Sequence, residues 1–222
     1  MPTVPALQAA IVDLDGTLID TMGDFVAILG ATFAQMQLPP VRREQVELWV
    51  GKGTEHLLRC ALEAVGAGAD RYQQAWDLYH QLYPQFNGQH SALFAGAAEG
   101  LARLRSQGLK LACVTNKPLA FARELLAVKG VLDRFDAVFG GDSFPRKKPD
   151  PMPLVEGAKA LGTTPATTLM IGDSANDAQA ARAAGCRVVL VTYGYNHGEP
   201  VRAVDADGFV DRIDQIDLSA LA

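Results

Sequence analysis

The sequence predicts an α/β protein, a doubly wound parallel sheet interrupted by an all-helical insertion after its first strand. Three observations carry that expectation. From about residue 95 onward, helical and strand-like stretches alternate, the order that gives right-handed crossovers and parallel strands. Between about residues 20 and 90 only helical periodicity is found. The first strand segment, residues 8–14, is a near-continuous apolar run, as suits a sheet covered on both faces.

Gly16 stops that strand. Apolar residues then recur at three- and four-residue spacing (Phe25, Ile28, Leu29, Phe33, Met36), which predicts a helix over 24–36 that Pro39-Pro40 ends. Further helices are expected at 43–48, 54–65 and 70–83. In the second of these, Leu57, Leu58, Ala61, Leu62 and Val65 share one face. The insertion is therefore placed at 20–90 as a helical cap, and the sheet-forming core at 1–19 and 91–222. In the core, helix 97–106 precedes strand 109–115, and helix 119–129 precedes strand 137–140. Helix 152–161 precedes strand 168–172, and helix 175–184 precedes strand 187–192. A short strand at 208–210 and a helical tail complete the pattern.

Composition narrows the function classes. Of 222 residues, 49% are hydrophobic and 20% charged, which suits a sizeable globular core rather than disorder. The net charge is −5 and the longest basic run is Arg146-Lys147-Lys148, so a nucleic-acid surface, which needs a clustered basic stripe, is disfavoured. No run approaches the ~18 apolar residues of a membrane helix. The N-terminal residues show no targeting pattern, and a cytoplasmic chain without a membrane partner is expected, as monomer or homodimer. Cys60, Cys113 and Cys186 lack metal or disulfide spacing and are expected to be buried thiols.

The unusual polar residues gather at strand ends. The first strand gives Asp13-Leu14-Asp15-Gly16-Thr17, the second Thr115-Asn116-Lys117-Pro118, and a later loop Lys147-Lys148-Pro149-Asp150-Pro151. The fourth gives Gly172-Asp173-Ser174-Ala175-Asn176-Asp177. In doubly wound sheets, ligands bind beyond the carboxyl ends of the strands. Asp13, Asp15 and Asp173 are expected to converge there as hard oxygen ligands, with Asp177 one helical turn beyond Asp173. Such a set suits Mg²⁺, which shares its shell with water and phosphate. Thr115 offers a hydroxyl, Asn116 and Gly16 backbone amides, and Lys148 a cation whose direction Pro149 restricts. Together they describe a phosphoryl-transfer site. One aspartate of the pair can be a nucleophile and the other an acid/base. Taken singly, Thr115-Asn116 could also cap a helix, as could Asp173 and Ser174, and Lys147-Lys148 could be a solvated loop.

These stretches resemble the haloacid dehalogenase superfamily. DLDGT resembles its first motif, VTN its second, Lys148-Pro149 its third and GDSANDAQAARAAG its fourth. The resemblance implies a Rossmann-like core with a mobile helical cap, and a phosphatase acting on a small phosphorylated metabolite. It implies Asp13 as nucleophile and Asp15 as general acid/base. Thr115 and Lys148 would hold the phosphoryl group, with Lys147 a competitor for the lysine role. Mg²⁺ would be held by Asp13, the Asp15 backbone carbonyl and Asp173, with Asp177 a ligand or a group behind one. Asp13 is expected to stay ionised and Asp15 to carry a proton. Within the superfamily, VTYGYNHGEP and WVGKGTEHLLRCAL resemble bacterial phosphoglycolate phosphatases, which convert 2-phosphoglycolate to glycolate. Gly51-Lys52-Gly53 is then either a plain helix–helix turn or a loop that dips over the site. In the second reading, Lys52 meets the substrate's carboxylate.

Overall fold

A computed structural model describes residues 5–221; the extreme ends of the expected core, 1–4 and 222, lie outside the described residues. Its main element is a six-stranded sheet made of β1 (Ala9–Val12), β4 (Lys110–Val114), β5 (Ala137–Phe139), β6 (Thr168–Gly172), β7 (Arg187–Val191) and β8 (Gly208–Val210). The order is β5-β4-β1-β6-β7-β8 and every pairing is parallel. Successive strand residues face opposite sides, and the two sides are covered by different helices. Ala10 and Val12 pack with α5 (Ala97–Ser106) and α6 (Leu119–Val128). Ala9 and Ile11 pack with α7 (Met152–Ala160) and α8 (Ala175–Ala184). Burial on both sides explains why β1 reads as an unbroken apolar run. Because β1 lies between β4 and β6, the carboxyl ends of these three strands surround the point where the strand order reverses.

Four helices fill residues 22–86: α1 (Met22–Gln35), α2 (Arg43–Trp49), α3 (Thr54–Ala64) and α4 (Tyr72–Phe86). They have their own apolar cluster, built on Ile28, Leu29, Phe33, Leu58, Ala61 and Tyr79. It reaches the core through Tyr195 and Phe121, and Phe121 stacks on Tyr83 at 4.1 Å. The chain enters and leaves this helical layer through a two-stranded antiparallel ribbon, β2 (Ile19–Asp20) with β3 (Ala92–Leu93). The neck is further tied by Asp24, whose carboxylate accepts from Gly88 N at 2.8 Å and His90 N at 2.6 Å.

Several sequence expectations need adjustment. The ribbon lies where no strand is expected, since two-residue strands carry no alternation. The predicted helix 70–83 starts as a 3₁₀ turn (Ala69–Arg71) and runs past Pro84 to Phe86. The helical tail consists of 3₁₀ turns at Ile213–Gln215 and Leu218–Leu221. Cys113 and Cys186 are buried, but Cys60 is half-buried and lies beside His56.

Candidate active site

The chain leaving β1 is shaped by its surroundings. Asp13 N continues the ladder to Ile171 O at 2.9 Å, and Leu18 N and Ile19 N then turn back to Leu14 O. Gly16 sits in the left-handed region with φ +84°, and a Cβ there would stand 2.3 Å from Asp173 Oδ2. Only glycine permits that approach. Thr17 Oγ1 donates to Asp173 Oδ1 at 2.9 Å, joining the first and fourth motifs.

At the end of β6, Asp177 organises the turn into α8. Its Oδ2 accepts from Asp173 N, Ser174 N and Ser174 Oγ at 3.2, 3.2 and 2.9 Å, a capping box that ties the two residues leading into the helix to its first turn. Its Oδ1 accepts from Lys148 Nζ at 2.7 Å. With four donors around it, the Asp177 carboxylate is fully engaged. Lys148 Nζ also lies 2.8 Å from Asp13 Oδ1, but off the hydrogen-bonding direction, and this buried oxygen finds no hydrogen-bond donor among the described residues. The two lysines of the loop differ in position: Lys148 is buried among these carboxylates, whereas Lys147 pairs with Glu55 at 3.1 Å on the partly exposed rim.

Asp13, Asp173 and Asp177 form a buried triad with oxygens within 4.8 Å of one another. Burial, followed by the attraction of Lys148 and the repulsion of Asp177, sets the Asp13 pKa, and the net effect is a rise to about 7. Burial, Asp177 and Asp13 likewise push Asp173 well above the usual carboxylate range. Burial opposes the Lys148 charge, yet Asp13 and Asp177 outweigh it and hold the ammonium above its ordinary value. Three carboxylates thus stand beside one ammonium, which contacts Asp13 and Asp177. The donor set is all oxygen, one of its oxygens lacks a donor, and its charge is in excess, so the residues fit a hard dication.

The Asp15 carboxylate stands outside that triad. It pairs with Lys117, whose Nζ is 3.0 Å from Asp15 Oδ1, in a setting where both side chains are less than a tenth exposed. The ammonium also lies over the rings of Phe25 and Tyr83, at 4.6 and 5.2 Å from their centroids. Sequence reasoning assigned Lys117 no role. Its place between a strand end and a helix-starting proline resembles a solvated cap, and only the apposed helical layer buries it. The two aspartates therefore sit in different surroundings: Asp13 lies in the triad, where burial favours a proton in the metal-free site, and Asp15 faces Lys117.

A narrow cavity separates the core from the helical layer, lined by Asp13, Asp15, Thr115, Asn116 and Lys117 from below and by Phe25, Val50, Leu57 and Tyr83 from above. Thr115 Oγ1 accepts from Lys117 N at 3.2 Å. Asn116 Nδ2 donates to Gly51 O and Lys148 O at 3.0 and 2.8 Å, so the glycine loop is docked on the core. Gly51 and Gly53 line the cavity, but Lys52 is exposed and lines an open outer cleft with His56, Arg59, Lys147 and His197. The VTYGYN stretch has a structural use as well. A Cβ on Gly194 would lie 2.2 Å from Asp173 Cβ, and the close approach lets Tyr195 N donate to Asp173 Oδ2 at 2.6 Å. The Tyr195 hydroxyl meets Asp20 and Met22 N at the neck, so one residue touches both the triad and the base of the helical layer.

Comparison with known proteins agrees with this geometry. Residues 10–191 match the family model described as haloacid dehalogenase-like hydrolase. Proteins described as phosphoglycolate phosphatase from Nitrosococcus oceani and Nitrosospira multiformis are 40% and 41% identical to this chain. The alignments cover 94% and 92% of it, and 94% and 91% of those proteins. A crystal structure from Haemophilus somnus, described as a predicted phosphoglycolate phosphatase, superposes with a TM-score of 0.89 at 30% identity, covering 96% of this chain and 97% of that one.

Proposed function

The chain belongs to the haloacid dehalogenase-like hydrolase family, and from that membership and the site's geometry we propose that it is a Mg²⁺-dependent phosphatase converting 2-phosphoglycolate to glycolate and phosphate. The observation that carries the reading is the buried triad Asp13, Asp173 and Asp177 around Lys148, with Asp15 two residues on from Asp13 at the cavity wall. The similarity to phosphoglycolate phosphatases along almost the whole chain supports the substrate.

In this reading Asp13 attacks phosphorus. The ammonium of Lys148, 2.8 Å from Oδ1, holds that carboxylate in place, and an aspartyl-phosphate forms as the ester oxygen leaves. Asp15 gives that oxygen its proton and then takes one from the water that hydrolyses the intermediate. Thr115 and Lys148 hold the phosphoryl oxygens, and Asn116 keeps the Gly51 loop over them. Asp13, the Asp15 backbone carbonyl and Asp173 would hold Mg²⁺, which neutralises phosphate charge when bound. Asp177, with its oxygens engaged, acts from behind by fixing Lys148 and the Asp173 turn. Helices α1–α4 act as a cap, closing over the cavity and excluding water.

A phosphate-release screen tests this. With Mg²⁺, kcat/KM for 2-phosphoglycolate is expected to exceed that for sugar phosphates and nucleotides. A preference for one of those instead would reassign the substrate and leave the chemistry standing, whereas release from none would overturn the reading.

A further inference from the structure

The cavity between core and cap holds one buried cation that the chemistry above leaves unused. Lys117 reaches it from the end of β4, its side chain 3% exposed. An ammonium has three donors and no acceptor. Asp15 Oδ1 takes one of them, and no other oxygen accepts from Lys117 Nζ among the described residues. The Phe25 and Tyr83 rings flank the charge; they attract it but do not replace oxygen acceptors. Tyr83 lines the same cavity, and its hydroxyl is buried without a partner. Uncommitted donors of this kind, in a dry site, favour an oxyanion.

The other lysines near the site are ruled out by position. Lys148 is committed to Asp13 and Asp177. Lys52 and Lys147 line the outer cleft, which Lys148 also borders, and not the cavity that holds Asp13, Asp15 and Lys117. Lys117, in contrast, touches the carboxylate assigned to the ester oxygen, so whatever is bonded to that oxygen comes within its reach. In a phosphorylated hydroxy acid, the carboxylate is one carbon away.

Resting on the phosphatase reading, we propose that Lys117, with the Tyr83 hydroxyl, binds the substrate's carboxylate and sets the preference for a phosphorylated hydroxy acid over the matching phosphorylated alcohol. The recognition of acid thus comes from the core strand end and not from the glycine loop of the cap. An apolar roof of Phe25, Val50 and Leu57 strengthens the interaction by keeping water out.

The test compares 2-phosphoglycolate with 2-hydroxyethyl phosphate, in Mg²⁺, for the wild type, Lys117→Met and Lys117→Gln, each checked for folding by thermal melting. The wild type should prefer the acid. Both variants should lose about 30-fold or more in kcat/KM for 2-phosphoglycolate, mainly through KM, the size expected for a buried hydrogen bond between charged groups. The alcohol phosphate should lose only what the unpaired Asp15 costs both substrates, seen mainly in kcat, so that its loss is at least about tenfold smaller. Tyr83→Phe should show the same selectivity at smaller size. Lys117→Gln guards against a misfolded Met variant. Glycolate should also inhibit the wild type competitively where ethylene glycol does not, a readout that needs no variant. Equal losses on both substrates would mean that Lys117 acts through Asp15 alone and would overturn the proposal, as would a wild type that treats acid and alcohol alike. Phosphate release from neither compound by the wild type would overturn the phosphatase reading, and this inference with it.

Discussion

The two sides of the aspartate pair are built on opposite charge balances. On one side, Asp13 joins Asp173 and Asp177 around a single ammonium, and both Asp13 and Asp173 are pushed far above ordinary carboxylates. On the other, Asp15 has Lys117 to itself, beneath the aromatic residues of the cap. Both sides are buried, so burial alone does not make the difference. In the proposed reading, an excess of negative charge marks the side that would take a dication, and balanced charge with spare donors marks the side that would face the leaving group. Neighbouring carboxylates of one short motif are differentiated by residues contributed from more than a hundred positions away.

The comparison can be broken most severely at Asp13. Asp13→Asn removes the carboxylate proposed to attack phosphorus with almost no change in volume, and turnover is expected to fall about 10⁴-fold or more while the melting profile stays cooperative. Next in size, Lys148→Met leaves three buried carboxylates without a cation. The metal-free variant should lose about 3–5 kcal/mol of stability in urea titrations above neutral pH, and Mg²⁺ should recover part of that loss.

A subtler test uses pH. The folded-state pKa of Asp13, about 7, lies above its ordinary value of 3.8, so the metal-free folded protein binds an extra proton between those values. Its stability therefore falls as pH rises through that window. Because a dication at the triad competes with that proton, the rise in Tm on adding Mg²⁺ should be larger at about pH 8 than at about pH 5.5. A shift independent of pH would place the metal away from Asp13. The smallest effects belong to the rim. Lys147→Ala breaks an exposed pair worth about 0–1 kcal/mol, and Lys52→Ala, altering an exposed side chain outside the cavity, should change KM for 2-phosphoglycolate by less than about twofold.

Much of this was legible in the sequence, for identifiable reasons. Strands buried on both faces leave unbroken apolar runs, and polar residues clustered at their ends betray the rim, so Asp13, Lys148 and Asp173 stand out early. Gly16 and Ser174 mark the turns that place them. The neck ribbon Ile19–Asp20 with Ala92–Leu93 was not legible, because its pairing is entirely tertiary. Lys117 looks like surface until the two helices carrying Phe25 and Tyr83 are laid over it. Lys52 failed as a cavity residue for the converse reason: the glycines on either side of it allow the loop to dip in, but spacing cannot say that the backbone, and not the side chain, faces the core. Tyr195 had a visible signal in its flanking Gly194, and only the close approach to Asp173 explains it.

The central claim, that Asp13 in the crowded triad takes the phosphoryl group, is tested most directly by acid-quenching the enzyme during turnover of ³²P-labelled 2-phosphoglycolate with Mg²⁺. Alkali-labile label on the peptide containing Asp13, lost in Asp13→Asn and after metal chelation, is the predicted result. Label on any other residue, or undiminished phosphate release by Asp13→Asn, would contradict it.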